Sequence, residues 1–204
     1  MFMLFLIIML VVSYLIGSIP TSYILGMRLC GVDLRKSGSG NPGATNAFRV
    51  LGWKIGVAVL LIDILKGFLP TLLVLKWRGG GGVMASADMA LLAGIAAIAG
   101  HMFTVFMRFK GGKGVATGVG VFLALAPKAL LPTLAVCLLI IAVSRYVSLG
   151  SLIGSALLPV LIGVFYPERT LLIFITAAIG LMLIIRHRSN IGRLLRGKEH
   201  KLFS

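Results

Sequence analysis

The chain alternates long apolar runs with short polar segments. The seven runs cover residues 2–27, 50–75, 84–107, 115–126, 129–144, 147–165 and 170–185. Because a helix rises about 1.5 Å per residue, about 20 apolar residues are needed to cross the hydrocarbon core of a bilayer. The pattern therefore predicts an all-α membrane protein: a polytopic bundle of seven transmembrane helices that forms a single domain over residues 1–204.

The first and fourth runs need separate arguments. Residues 2–27 carry no charge and follow no basic segment, so we interpret this run as a retained helix and not as a signal peptide. The run 115–126 spans only about 18 Å as a helix, which predicts a short or tilted fourth span. Joining it to the fifth run would bury Lys128, Pro127 and Pro132 in mid-membrane and would reverse every later loop.

Composition supports this interpretation and adds a strong charge. Hydrophobic residues make up 59% of the chain, charged residues only 12%, and the mean hydropathy is +1.07. Soluble domains carry about 25% charged residues, so a disordered protein and an ordinary soluble enzyme are both excluded. The net charge is +15. Cys30 and Cys137 lie far apart in the sequence and indicate neither a disulfide framework nor a metal motif.

The Lys and Arg residues predict the orientation of the chain. Most of them follow the odd-numbered runs, whereas the opposite side has only Lys76, Arg78, Lys128 and Arg169. Cytoplasmic loops of membrane proteins carry the excess of Lys and Arg, which places the N-terminus outside and the C-terminus in the cytoplasm. Such a basic cytoplasmic surface attracts anionic lipids and anionic substrates.

The first polar segment, residues 35–49, holds Gly38, Gly40 and Gly43 in a G-x-G-x-x-G pattern. A dinucleotide site needs a strand before this pattern, and here a membrane helix precedes it, so that interpretation fails. Glycines still let backbone N–H groups approach an anion closely. The side chains that can support an anion site are Ser39, Asn41, Thr45, Asn46 and Arg49. The alternative is a flexible, turn-rich loop.

The second polar segment, residues 100–117, contains His101 and then Gly111, Gly112 and Lys113. It does not fit a Walker A loop, because Met107 stands where the first Gly is required. A Gly-Gly-Lys-Gly turn that opens a short helix is nevertheless a candidate anion site. The alternatives are a basic loop with glycines that tighten it and, for His101, a packed histidine.

The third polar segment, residues 187–201, is a basic tail with His187, Asn190, Arg193 and Glu199. A lipid-surface anchor explains its outer charges but not Asn190 or Glu199. Two more features lie within the apolar runs. Asp63 and Lys66 are spaced to pair on one helix face, as a functional site or as a structural ion pair. Ser148 and Ser151 open the sixth run, where serines usually cap helices.

Together these segments resemble one family. The run Ser-Gly-Ser-Gly-Asn-Pro-Gly-Ala-Thr-Asn at 37–46, Phe-Lys-Gly-Gly-Lys-Gly at 109–114 and His-x-x-Asn-Ile-x-Arg-Leu-x-x-Gly-x-Glu at 187–199 resemble the bacterial acyl-phosphate:glycerol-3-phosphate acyltransferases. The resemblance covers essentially the whole chain. It implies a seven-helix enzyme of the inner membrane, with its active site facing the cytoplasm. Such an enzyme transfers a fatty acyl group from acyl phosphate to position 1 of glycerol 3-phosphate and gives lysophosphatidic acid and phosphate. This is the first acylation of phospholipid synthesis.

The resemblance also implies roles for individual residues. It makes His187, Asn190, Ser39 and Lys113 the candidate catalytic residues. The candidate substrate-binding residues are these four together with Asn41, Asn46, Arg49, His101, Gly111, Gly112, Ser148, Ser151, Arg193 and Glu199. We expect no cofactor or metal, no nucleic acid and a monomer in contact with membrane lipids.

Two other functions stay open at this point. An intramembrane Asp63–Lys66 pair would suit a transporter or flippase of an anionic lipid precursor, although paired broken segments in two halves are not evident. A non-catalytic assembly protein of lipid synthesis is the other alternative. The sequence has no His-x4-Asp pair of the common glycerolipid acyltransferases, no Cys/His metal cluster and no Gly-x-Ser-x-Gly elbow.

Overall fold

The computed structural model describes residues 2–77 and 85–202, and in this part of the chain every regular element is a helix. The predicted all-α class is therefore confirmed. Arg78 lies outside the described residues, and so does Met84, the predicted start of the third run. The chain divides into two compact units, Met1–Leu125 and Ala126–Ser204.

The helices of the first unit are α1 (Phe2–Ser18), α2 (Thr21–Cys30), α3 (Ala44–Leu51), α4 (Trp53–Lys76), α5 (Ser86–Met102) and α6 (Val115–Leu125), with a 3-10 turn at Val105–Met107. Helix α4 is central, because α3, α5 and α6 all pack against it, while α1 packs against α5. The first and second polar segments therefore belong to one packed unit.

The sequence predicted that the first apolar run forms one continuous helix, and this prediction is wrong. The run breaks between α1 and α2 at Ile19 and Pro20. Proline has no backbone N–H and its ring clashes with the preceding turn, so a helix ends or kinks there. By length and composition, Phe2–Cys30 still qualifies as one membrane span. The second run also begins later than predicted, at Trp53, because Gly52 adopts a φ of 86° between α3 and α4.

Glycines set the close approach of the helices in the first unit. A Cβ on Gly67 would lie 2.1 Å from the Thr117 carbonyl oxygen, and one on Gly120 would lie 2.0 Å from that of Ile64. These contacts bring the backbones of α4 and α6 nearly together. Small residues at helix interfaces are the usual way in which membrane helices pack, since lipid provides no hydrophobic drive for association.

The second unit contains α7 (Pro127–Ser144), α8 (Val147–Phe165), α9 (Thr170–Arg186) and α10 (Arg188–Leu195). Helix α8 packs against α7 and α9. Helices α9 and α10 form a pair bent by 58°. The Leu202 N–H donates to the Arg145 carbonyl at 2.9 Å, which ties the tail to the turn between α7 and α8.

The apolar runs have the dimensions of membrane spans. In residues 2–77 and 85–202, five helical stretches are long and apolar enough to cross a membrane, or six with the bent pair, and α6 is a shorter apolar helix. Large side chains such as Leu73, Val143 and Phe174 are more than two-thirds exposed. A soluble protein rarely exposes so much apolar surface, so this is the outer surface of a multi-pass membrane protein.

Candidate active site

Asn46 fastens the first polar segment. Its side chain is 1% exposed, its Oδ1 accepts the Ser39 N–H at 2.9 Å, and its Nδ2 donates to the Leu34 and Ser37 carbonyls at 3.1 and 3.0 Å. The amide therefore faces inward and holds the loop in shape. Gly38 lies directly against it, with a φ of 60° and no room for a Cβ, which would lie 2.3 Å from Asn46 Oδ1.

Two glycine N–H groups of this segment donate to carbonyls within the loop. Gly40 donates to the Ser37 carbonyl at 3.1 Å, and Gly43 donates to that of Asn41 at 3.0 Å. With the Ser39 N–H bound to Asn46, these amides close the loop on itself. Ser39, Asn41 and Arg49 are each partly exposed and offer side-chain groups to an anion at this loop.

An exposed ion pair fixes the entry to the first polar segment. Arg35 binds Asp33 through two nitrogens, with the shortest contact 2.7 Å from Nη2 to Oδ2. The hydrogen bonds from Arg35 hold the pKa of Asp33 below its ordinary value. The Arg35 guanidinium also lies 4.6 Å from the centre of the Tyr23 ring. This arginine is thus occupied within the loop. Arg49 lies in the last turn of α3.

The second polar segment is built on His101 at the end of α5. The Gly111 and Gly112 N–H groups donate to the Met102 and His101 carbonyls, each at 3.1 Å. A Cβ on Gly112 would lie 2.2 Å from His101 Nε2, so the turn rests directly on the imidazole. The glycines are thus needed for close packing, and their N–H groups donate to carbonyls at the end of α5. The anion site at this turn stays a prediction. Lys113 is half-buried two residues before α6, whose predicted start after this turn is confirmed.

A buried charged cluster lies beside this turn. The Asp63–Lys66 pair predicted from the sequence is confirmed, with Lys66 Nζ 2.8 Å from Asp63 Oδ1 and both side chains at most 5% exposed. Lys66 also donates to the Ile19 carbonyl at the break between α1 and α2, at 3.1 Å. His101 Nδ1 lies 3.9 Å from Asp63 Oδ1.

Glu199 organises the third polar segment in the second unit. Its Oε1 accepts from Asn190 Nδ2 at 2.7 Å and from Ser148 Oγ at 3.1 Å, and its Oε2 accepts from Arg193 Nε at 2.7 Å. Burial by itself would raise the pKa of Glu199. The hydrogen bonds and the Arg193 charge outweigh it and hold the pKa below its ordinary value of 4.5. Ser148 and Arg193, predicted to bind substrate, here bind this carboxylate.

His187 stands at the bend between α9 and α10 and is 3% exposed. Its Nδ1 lies 2.8 Å from the Leu183 carbonyl. A carbonyl oxygen only accepts, so Nδ1 carries the hydrogen, and in the neutral ring Nε2 is the nitrogen that can accept a proton. Ser151 Oγ donates to the Val147 carbonyl one turn earlier in α8, at 2.9 Å. Tyr146 is the N-cap of α8, so the capping alternative for Ser148 and Ser151 is wrong.

The comparison with known families decides the identity. Residues 7–197 match the family model described as "Glycerol-3-phosphate acyltransferase". The chain belongs to this acyltransferase family. The resemblance seen in the three polar segments is thereby confirmed.

Relatives agree along nearly the whole length. The glycerol-3-phosphate acyltransferase of Trichlorobacter lovleyi is 50% identical over 189 residues, which cover 93% of each chain. That of Geobacter sulfurreducens is 46% identical over 191 residues, which cover 93% of this chain and 94% of its own.

A solved structure is also similar. The crystal structure of PlsY (YgiH), an integral membrane glycerol 3-phosphate acyltransferase, in its glycerol 3-phosphate form has a TM-score of 0.87 and 41% identity, and covers 96% of this chain and 94% of that one. Its lysophosphatidic acid form has a TM-score of 0.84.

Within this acyltransferase, the sequence did not indicate some of the contacts that the predicted segments make. It left Asp63 and Lys66 outside the candidate site, although the cavity beside them also reaches Gly111, Gly112 and Pro42. The available signal was two charges in an apolar run, since intramembrane charges are costly and usually functional. No sequence signal indicated that Ile19, through its carbonyl, is a partner of Lys66.

Proposed function

We propose that this protein transfers a fatty acyl group from acyl phosphate to the 1-hydroxyl of glycerol 3-phosphate. Membership of the glycerol-3-phosphate acyltransferase family carries the proposal. It is supported by similarity to a structure solved with glycerol 3-phosphate and to one solved with lysophosphatidic acid. Both proposed substrates carry phosphate, and the first unit offers partly exposed Ser39, Arg49 and Lys113 in its glycine-rich segments.

In the first unit, Ser39, Asn41, Arg49 and Lys113 bind phosphate groups in this proposal. Arg49 is suited to a bidentate phosphate contact, and Lys113 provides a point charge. Asn46 acts indirectly, because its amide is fully used in shaping the loop. Gly111 and Gly112 form the surface of the turn that carries Lys113.

In the second unit, His187, Asn190 and Ser151 are the proposed reacting or substrate-binding residues. Glu199 holds Asn190 and Arg193 through 2.7 Å hydrogen bonds, so it positions this segment. Ser148 serves the same purpose from α8. The family model extends across both units, which supports a single acyltransferase domain over residues 1–204.

The proposed chemistry is direct transfer. The 1-hydroxyl oxygen attacks the acyl carbon, the bond from that carbon to the phosphate oxygen breaks, and the hydroxyl proton passes to phosphate. Acyl phosphate is a mixed anhydride with a good leaving group, so no acyl-enzyme is needed. Alignment of two reactants can contribute roughly 7–11 kcal/mol, and cationic groups stabilise the charge that develops on phosphate.

The decisive experiment compares donors. Protein purified in detergent is given glycerol 3-phosphate with acyl phosphate, acyl-CoA or acyl carrier protein, and phosphate release and lysophosphatidic acid are measured. We expect turnover with acyl phosphate alone and the acyl group at position 1. Because detergent removes the two compartments that a transporter needs, turnover also separates the enzyme from a flippase. Turnover with acyl-CoA alone would refute the proposed donor.

Substitution of His187 distinguishes two routes for the proton that leaves the 1-hydroxyl. If the substrate's own phosphate oxygen accepts it, His187→Gln should retain measurable turnover, with a pH profile close to that of the unaltered protein. If His187 Nε2 is the base, the substitution should abolish turnover, and the unaltered enzyme should lose activity as falling pH protonates the imidazole. A trapped acyl adduct on Ser39 or Ser151 would exclude direct transfer.

The membrane arrangement is part of the proposal. We propose seven spans, with α6 as the short fourth one, an outside N-terminus, and an active site on the cytoplasmic face of the inner membrane. The distribution of Lys and Arg supports this orientation. We further propose a monomer that works without cofactor or metal, with its exposed apolar helices in contact with lipid.

A further inference from the structure

We propose that Asp63, Lys66 and His101 are positioning residues that hold the turn at residues 111–113 in its working position. The inference rests on the proposed function, since it assigns this turn to substrate binding. It adds Asp63 and Lys66 of α4 to the reaction, and it gives His101 of α5, a substrate-binding candidate in the sequence, a positioning role instead.

Burying these charged side chains costs free energy, so we expect the cluster to have a function. Lys66 Nζ lies 2.8 Å from Asp63 Oδ1 and donates to the Ile19 carbonyl at 3.1 Å, and His101 Nδ1 lies 3.9 Å from the same carboxylate oxygen. All three side chains are at most 6% exposed. Removing two charges from water costs several kcal/mol per ion, and a well-packed apolar pair often stabilises a protein as much.

His101 connects this cluster to the turn in two ways. Its carbonyl accepts the Gly112 N–H at 3.1 Å. A Cβ added to Gly112 would lie only 2.2 Å from Nε2 of its ring. The neighbouring Met102 carbonyl accepts the Gly111 N–H at 3.1 Å. A movement of the imidazole therefore moves Gly112 and, with it, Lys113. Asp63, itself held by Lys66, lies against the other side of that ring.

The cluster and both polar segments of the first unit line one small cavity. Its volume is about 10 Å³, close to what one water molecule needs. Asp63, Lys66 and His101 line it together with Gly111, Gly112 and Pro42, which belongs to the first polar segment. The ion pair thus lies next to both segments that are proposed to bind phosphate.

The alternative is an ion pair that only stabilises the bundle, and a paired substitution separates the two. Asp63→Asn or Lys66→Met alone leaves one buried charge without its partner and should lower the melting temperature. The double variant D63N/K66M removes both charges and should melt close to the unaltered protein. We nevertheless expect its kcat/KM to fall at least tenfold, mainly through a higher KM for one phosphate substrate. We also expect faster hydrogen exchange at residues 110–114.

Thr71→Val is the matched control. Thr71 is fully buried on the same helix and donates only to the Gly67 carbonyl of its own helix at 2.7 Å. This variant should keep its activity within twofold and its exchange at 110–114 unchanged. A double variant with both normal activity and normal exchange would show that the pair is merely structural and would overturn the proposal.

A substitute variant and the absence of substrate in the exchange measurement keep the test decisive. If the double variant does not fold, His101→Ala replaces it, because it removes the ring under Gly112 and keeps the backbone carbonyl. Unchanged exchange at 110–114 in that variant would also overturn the proposal. Exchange is measured without substrate, so an unaltered protein that fails with every donor would refute the proposed function and leave the positioning test intact.

Discussion

Single side chains hold each polar segment in shape by binding groups that are distant in sequence. Asn46 joins the Ser39 N–H to two carbonyls, and Glu199 joins Ser148, Asn190 and Arg193. Buried polar groups that are fully hydrogen-bonded make such loops rigid and specific. In the proposed function, substrate is bound by the partly exposed neighbours of these fastening residues, of which Arg49 is the main example in the first unit.

Arg49→Lys tests the site at the scale of one residue. The change keeps the charge but removes the guanidinium fork, so we expect kcat/KM to fall about 10–100-fold, in line with about 1.5–3 kcal/mol for hydrogen bonds to a charged group. Phosphate release from acyl phosphate measures it. Lys76→Ala, at the end of α4, is the control and should stay within twofold. Equal losses in both variants would show that bulk charge, not a site, is being measured.

Glu199→Gln tests the fastening of the third polar segment. The fold lowers the pKa of Glu199, so its stabilisation is present above the unfolded pKa of about 4.5 and is lost as pH falls through the lower folded pKa. We expect the variant to melt lower at pH 7, by an amount that corresponds to about 2 kcal/mol. The difference should shrink below about pH 4.5. A difference that stays constant with pH would mean that the carboxylate charge is not responsible.

The sequence located the three polar segments but not the hydrogen-bond partners inside them. The family resemblance singled out Ser39, Arg49, Lys113 and His187 as site residues, and these assignments stay predictions. Asn46 and Gly112 both donate hydrogen bonds to backbone carbonyls, and nearly every residue of the chain offers such a carbonyl. Which carbonyl is used depends on the folded path of the chain, so only the structure shows that Gly112 rests on His101.

At the scale of helices, the hydrophobic pattern predicts position and the glycines determine spacing. Runs 147–165 and 170–185 match α8 and α9 to within one residue. The break at Pro20 was missed, because the apolar pattern continues through it and two short helices can together span the membrane. The pattern is likewise silent on which helices touch, whereas the glycine contacts of α4 with α6 fix one such pair.

Gly120→Ala tests that helix contact. A Cβ at this position would lie 2.0 Å from the Ile64 carbonyl oxygen, which is backbone and cannot rotate away, so α6 must move from α4. Overpacking of this kind costs about 1–3 kcal/mol, and melting temperature in detergent should fall by roughly 2–4 °C per kcal/mol.

Gly163→Ala is the matched control for this contact. Gly163 lies in α8 and has open space around the added Cβ, so this variant should melt at the same temperature or slightly higher. Equal destabilisation in the two variants would mean that glycine flexibility, and not close packing, matters at Gly120.

At the scale of the whole molecule, the short helix α6 determines how many times the chain crosses the membrane. Helix α6 has 11 residues, about 17 Å in length, which is shorter than a hydrocarbon core of about 30 Å. The charge distribution nevertheless favours a crossing, since otherwise every basic loop after it would change sides. Crossing alternates the side of each loop, so one loop before α6 and one after it settle the matter.

Cysteine labelling of intact spheroplasts makes this test. Cys30 and Cys137 are first replaced by Ser, and single cysteines are placed at Lys36, Lys110 or Glu168, which are all exposed. Lys36 and Lys110 are separated by α4 and α5 and should both be protected from an impermeant reagent until the cells are opened. Glu168 lies three helices beyond Lys110 if α6 crosses, and should then be labelled from outside. Protection at all three positions would reduce α6 to a re-entrant helix, and labelling at Lys36 or Lys110 would reverse the proposed orientation of the whole protein.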